Sequence, residues 1–66
     1  MKAKDIANIL LQFPELDVMA DTEYAFAQIE QIVLGELDGK NCLFLCEKGY
    51  LPWLEYHNAY TIAEEI

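Results

Sequence analysis

The chain has 66 residues, 55% of them apolar and 12% aromatic, which gives one domain over residues 1–66 with one core and rules out a disordered chain. Twelve carboxylates face four lysines (Lys2, Lys4, Lys40 and Lys48), arginine is absent, and the formal net charge is -8. Neutralising phosphates takes Lys or Arg, so this balance argues against direct nucleic-acid binding and against anionic membrane surfaces.

The partner such a field favours is a basic protein or a nucleoprotein complex. The same acidity would also serve simply to keep an apolar chain in solution. So many apolar residues for so little interior predict that some reach the surface, as in a homodimer or a partner site. Residues 1–5 lead straight into an amphipathic pattern without an apolar signal core, and no apolar run approaches the ~20 residues of a membrane span. A cytoplasmic location is expected, with Cys42 and Cys46 as reduced thiols.

The first element reads as a helix. Ala3, Ile6, Ile9, Leu10 and Phe13 fall on one arc at about 100° per residue, with Lys4, Asp5, Asn8 and Gln12 opposite. Pro14 ends it, because the residue before a proline resists helical torsion angles. The run Asp17-Val18-Met19-Ala20 suits a short strand, closed by the polar turn Asp21-Thr22-Glu23.

Residues 24–37 admit two readings. As a helix, Asp21 or Thr22 would cap the start, Gly35 the end, and Ala25, Phe26, Ile29, Ile32 and Val33 would form an apolar face. As a strand from about Ile29, the segment would lead into Asp38-Gly39, the strongest short hairpin signal, with Cys42–Cys46 returning as its partner. The strand is favoured, because a hairpin needs one on its near side.

The last segment reads as a second helix. Gly49 breaks the preceding strand, Pro52 suits a first turn, and Trp53, Tyr56, Ala59, Tyr60, Ile62, Ala63 and Ile66 cover half of a helical wheel. Glu64 and Glu65 would then oppose the helix dipole and fray its last turn.

Catalytic chemistry finds little to work with. There is no serine, and the single histidine, His57, has no nucleophile placed beside it by the sequence. Cys42 and Cys46 lie four apart, which on a strand puts both on the face of Phe44, the pattern of a buried apolar pair. With His57 they supply only three obvious zinc ligands. Gly35, Gly39 and Gly49 match no phosphate-binding loop, and the acids match no calcium loop. No cofactor is expected. The aromatic series Tyr50, Trp53, Tyr56 and Tyr60, ringed by Glu47, Glu55 and Glu64, either packs the last helix on a sheet or offers anchors for a partner.

The stretch Lys4-Asp5-Ile6 through Leu10-Leu11, then Phe13-Pro14-Glu15-Leu16-Asp17-Val18, resembles the opening of many small uncharacterised phage and prophage proteins. Ile32-Val33-Leu34-Gly35-Glu36-Leu37-Asp38-Gly39-Lys40 resembles their hairpin. What the resemblance implies is an α+β layout and a mobile-element origin, with no catalytic residues to carry over.

The expectation is therefore an α+β domain: an N-terminal helix, a small mainly antiparallel sheet of about three strands, and a C-terminal helix. Its expected role is non-enzymatic: a phage or mobile-element accessory or anti-defence inhibitor, anti-CRISPR-like, whose acidic surface blocks a basic nucleic-acid-binding groove as a DNA mimic does. The partner-binding residues would be Asp21, Glu23, Glu36, Asp38, Glu47 and Glu55, with Trp53 and Tyr56 as anchors. The alternatives are a homo-oligomeric structural or assembly module, and a thiol or metal site at Cys42, Cys46 and His57.

Overall fold

The computed structural model describes residues 1–23, 26–47 and 57–65. Its element order is helix α1 (Ala3–Leu10) and strands β1 (Asp17–Asp21), β2 (Gln31–Leu37), β3 (Lys40–Cys46) and β4 (His57–Glu64). The four strands form one sheet in the order β1-β3-β2-β4. Strand β3 runs parallel to β1 and antiparallel to β2, and β2 runs antiparallel to β4, so the sheet is mixed.

The first helix begins as its sequence predicts. Asp5 accepts the Lys2 backbone N–H at 3.3 Å, which places a negative charge in the first turn, where the helix dipole favours it. Regular helix stops at Leu10, three residues before the expected end. Tighter turns then carry the chain on, with Gln12 N–H donating to Ile9 O and Phe13 N–H to Leu10 O. Ile6, Ile9, Leu10 and Phe13 are half-buried while Lys4, Asp5, Asn8 and Gln12 are exposed, so the apolar arc faces inward.

The middle of the chain is a hairpin. Asp38 and Gly39 have φ of 53° and 79°, both in the left-handed region, as a two-residue turn of the primed type requires. That turn fixes the register Leu37↔Lys40, Gly35↔Cys42, Val33↔Phe44 and Gln31↔Cys46. Side chains alternate along a strand, so Val33, Cys42, Phe44 and Cys46 share a face and form one buried cluster, with Leu37 packed against it. Ile32 and Leu43 lie on the opposite face and are also fully buried. Burial on both faces explains why β2 and β3 read as nearly continuous apolar runs.

Two expectations are overturned. The sheet has four strands rather than about three, and His57–Glu64 is the edge strand β4, not part of a helix. The proposed start of that helix, from Pro52 through Tyr56, lies outside the described residues. Tyr60, Thr61 and Ile62 are aromatic and β-branched, types that suit a pleated surface. An isolated helix of eight residues is marginal, whereas β2 presents a full backbone ladder for a partner strand. Two register shifts interrupt the β2–β4 pairing, between Ile32 and Val33 and between Leu34 and Glu36. These bulges break the period-2 alternation of β4 and let its residues mimic a helical wheel.

Gly35 sits at the second irregularity. A Cβ there would lie 3.2 Å from the Ala59 Cβ and 3.5 Å from the Phe44 ring. Glycine at this position lets β4 close over the central aromatic.

Candidate functional site: an acidic end of the sheet

Because β1 and β3 are parallel, their C-terminal ends fall together, with Asp21 opposite Cys46. Glu47 follows directly. Its Oε1 accepts the Glu23 backbone N–H at 3.1 Å, and its carbonyl accepts the buried Gln31 side-chain amide at 3.1 Å. Glu30 N–H donates to Cys46 O at 3.0 Å, and Glu65 N–H donates to Glu30 O at 2.7 Å. Glu64 pairs with Gln31 in the register of β2 and β4. One end of the sheet thus gathers Asp21, Glu23, Glu30, Glu47, Glu64 and Glu65, half of the chain's twelve carboxylates.

A positive group at this end is the Met1 amino group, which donates to Ile29 O at 2.5 Å and pairs with Glu65 at 3.0 Å. Glu23 and Glu64 are exposed, and Asp21, Glu30, Glu47 and Glu65 half-buried. The end is therefore a negatively charged surface with a fixed backbone frame, tied across four segments that are distant in sequence.

The residues singled out in the sequence divide between two places. Asp21, Glu23 and Glu47 meet at the acidic end. Glu36 and Asp38 lie at the hairpin end, Glu36 near the end of β2 and Asp38 in the turn that follows it. The six steps of β2 separate the two groups by about 20 Å, more than twice the ~8 Å screening length of physiological salt. They act as separate charges rather than as one patch. Glu55, Trp53 and Tyr56 lie outside the described residues.

The sequence gives no binding role to Glu30 or Glu65 and sets Glu64 only beside the aromatic series. Glu64 and Glu65 were assigned to a helix terminus, and only the strand order brings them to Glu30 and Glu47. The β-branched pair Thr61-Ile62 beside Tyr60 was the available signal for a strand there.

The two thiols follow the buried-pair expectation. Cys42, Phe44 and Cys46 occupy the same packed face, and both cysteines are buried and free. Four residues of strand set them about 13 Å apart with Phe44 between, well beyond disulfide reach. Burial, with the Asp21 carboxylate opposite as the lesser cause, pushes the Cys46 thiol up to about 11. A thiol held neutral in this way is a poor nucleophile and a poor metal ligand. Among the described residues, no group of three or more His, Cys, Asp and Glu side chains is arranged to hold a metal ion.

Among the described residues, no helix is long and apolar enough to cross a membrane. Apolar side chains do reach the surface, with Phe26 97% and Leu11 74% exposed and Tyr60 also outward. No protein-family model, curated protein or solved structure matches the chain.

Proposed function

We propose that the protein is a non-enzymatic binding module whose acidic end docks in the basic groove of a nucleic-acid-binding protein or complex and excludes the anionic ligand. The observation that carries this reading is the convergence of Asp21, Glu23, Glu30, Glu47, Glu64 and Glu65 on one end of the sheet. Backbone hydrogen bonds at Glu23, Glu30 and Glu65 hold that end in shape, so less ordering is needed on binding than for a flexible acidic tail. The absence of arginine and serine and the inert environment of Cys46 point the same way. A phage-type inhibitor of a host nucleic-acid-handling complex, anti-CRISPR-like in action, is a protein of this kind. It would work in the cytoplasm, where its buried thiols stay reduced.

Affinity capture from a lysate of the source cells tests the reading. It should recover a basic nucleic-acid-binding protein that elutes as salt rises. Charge reversal at Glu23, Glu47 and Glu64 should abolish capture, while reversal at Glu36 and Asp38 should leave most of it. Full capture after reversal at the acidic end would end the proposal.

A second reading, a homo-oligomeric assembly module, draws on the exposed Leu11, Phe26 and Tyr60. Light scattering separates the two. A stable dimer with no partner recovered would favour self-assembly.

A further inference from the structure

The strand order leaves β1 at an edge, and β1 pairs with β3 alone among the described strands. An edge strand offers a row of backbone N–H and C=O groups that another chain can pair with. Asp17, Val18, Met19 and Ala20 are all exposed, Val18 and Met19 at 45% and 40%. Alternation puts Asp17, Met19 and Asp21 on one face and Val18 and Ala20 on the other. The edge therefore presents an apolar centre bracketed by two carboxylates on the same face, four residues apart.

This bracket selects what can pair with it. A second copy running antiparallel and centred on Met19 would set Asp17 against Asp21 twice. Like charges directly opposite on a sheet oppose pairing, and opposite charges favour it. The charges thus disfavour that self-pairing while matching an incoming strand that carries lysine or arginine at positions four apart, with an apolar residue midway.

We infer that the β1 edge is a docking site for an extended basic segment of the partner protein, with the pattern basic-x-apolar-x-basic, added to the sheet as a fifth strand. The pattern is symmetric, so either strand direction satisfies it. Main-chain pairing supplies the attachment, Asp17 and Asp21 the selectivity, and Val18 and Met19 the apolar contact. The inference rests on the acidic-binding reading and names the chemistry of the segment that the partner would offer.

The test is a nuclear magnetic resonance titration of the full, isotope-labelled chain with two capped pentapeptides. One is Lys-Val-Leu-Val-Lys, the other Glu-Val-Leu-Val-Glu. The lysine peptide should shift the amides of Asp17–Asp21, slow their hydrogen exchange, and bind at least about tenfold more tightly than the glutamate peptide. In the double variant Asp17→Lys, Asp21→Lys the preference should reverse. If that variant does not fold, the preference and the location of the shifts on the native chain still decide.

Equal binding of the two peptides, or no binding of either, overturns the inference. Shifts confined to Glu30, Glu47, Glu64 and Glu65 with β1 unmoved overturn it too, while leaving the acidic-end reading standing. The opposite failure is equally distinct: lysine-peptide pairing at β1 alongside partner capture that ignores acidic-end charge reversal.

Discussion

At the residue scale, a few positions carry the molecule. Phe44 is almost fully buried in the cluster of Val33, Cys42 and Cys46. Removing a buried aromatic costs about 3–5 kcal/mol, a large share of what a domain of this size can hold. Phe44→Ala should therefore be largely unfolded at 25 °C, as read from far-ultraviolet circular dichroism. Gly39 is a second such position. Its φ of 79° is one that a side chain resists, so Gly39→Ala should lower stability by about 1–2 kcal/mol, measured by urea titration. Both were legible in the sequence, because Asp-Gly between apolar runs and a Cys-x-Phe-x-Cys alternation each have one physically favoured meaning. Gly35 was not legible, since the need for a bare Cα there arises from Ala59 across the sheet.

Cys46 makes a prediction in pH. Its thiol is raised to about 11 in the fold against an ordinary 9.0. Between those values the native state holds the proton more tightly than the unfolded chain does. Stability from this group is thus complete below about pH 9 and falls as pH rises towards 11. Denaturant midpoints measured over pH 8–11 should decline across that interval, and Cys46→Ala should flatten the decline. Alkylation by iodoacetamide at pH 8 should likewise need unfolding first.

At the element scale, α1, β1 and the Asp-Gly turn with β3 follow from local pattern. The pattern of residues 24–37 admits a helix as well as the observed strand β2, and favours the strand only through the hairpin. The 3.6-residue arc and the Asp-Gly turn are properties of short windows, although regular helix ends at Leu10, three residues before the end that Pro14 predicts. β4 does not follow. Its bulges scramble the alternation that would mark a strand, and its eight residues become a strand because β2 offers a ladder to pair with. The helical spacing of its apolar residues loses there to tertiary pairing, which the aromatic and β-branched Tyr60, Thr61 and Ile62 favour. This element also decides how much of the candidate site could be foreseen. Asp21 and Glu23 read as turn acids and Glu47 as one of the acids around the aromatic series, but Glu64 and Glu65 reach them only through β4.

The Gln31 side chain ties the elements of the acidic end together. Its amide donates to the Glu47 carbonyl from a buried position at the start of β2. Gln31→Leu removes that donor, with an expected loss of about 1 kcal/mol and faster amide exchange at Glu23. Unchanged exchange there would mean that Glu47 is held by something else.

At the scale of the whole molecule, charge and topology converge. A net charge of -8 spread evenly would mainly keep the chain dispersed. The mixed sheet instead concentrates half of the carboxylates at one end, and leaves Glu36 and Asp38 about 20 Å away at the hairpin. Composition alone could announce the sign of the field. The strand order gives it a location, and no local pattern encodes strand order.

The most direct measurement is a competition titration: displacement of a fluorescent oligonucleotide from the captured partner by increasing amounts of the protein. Native chain and the Glu36→Lys, Asp38→Lys variant should displace it at similar concentrations, whereas Glu23→Lys, Glu47→Lys, Glu64→Lys should not displace it at all. Equal displacement by all three, or displacement lost only with the hairpin-end variant, would contradict the account.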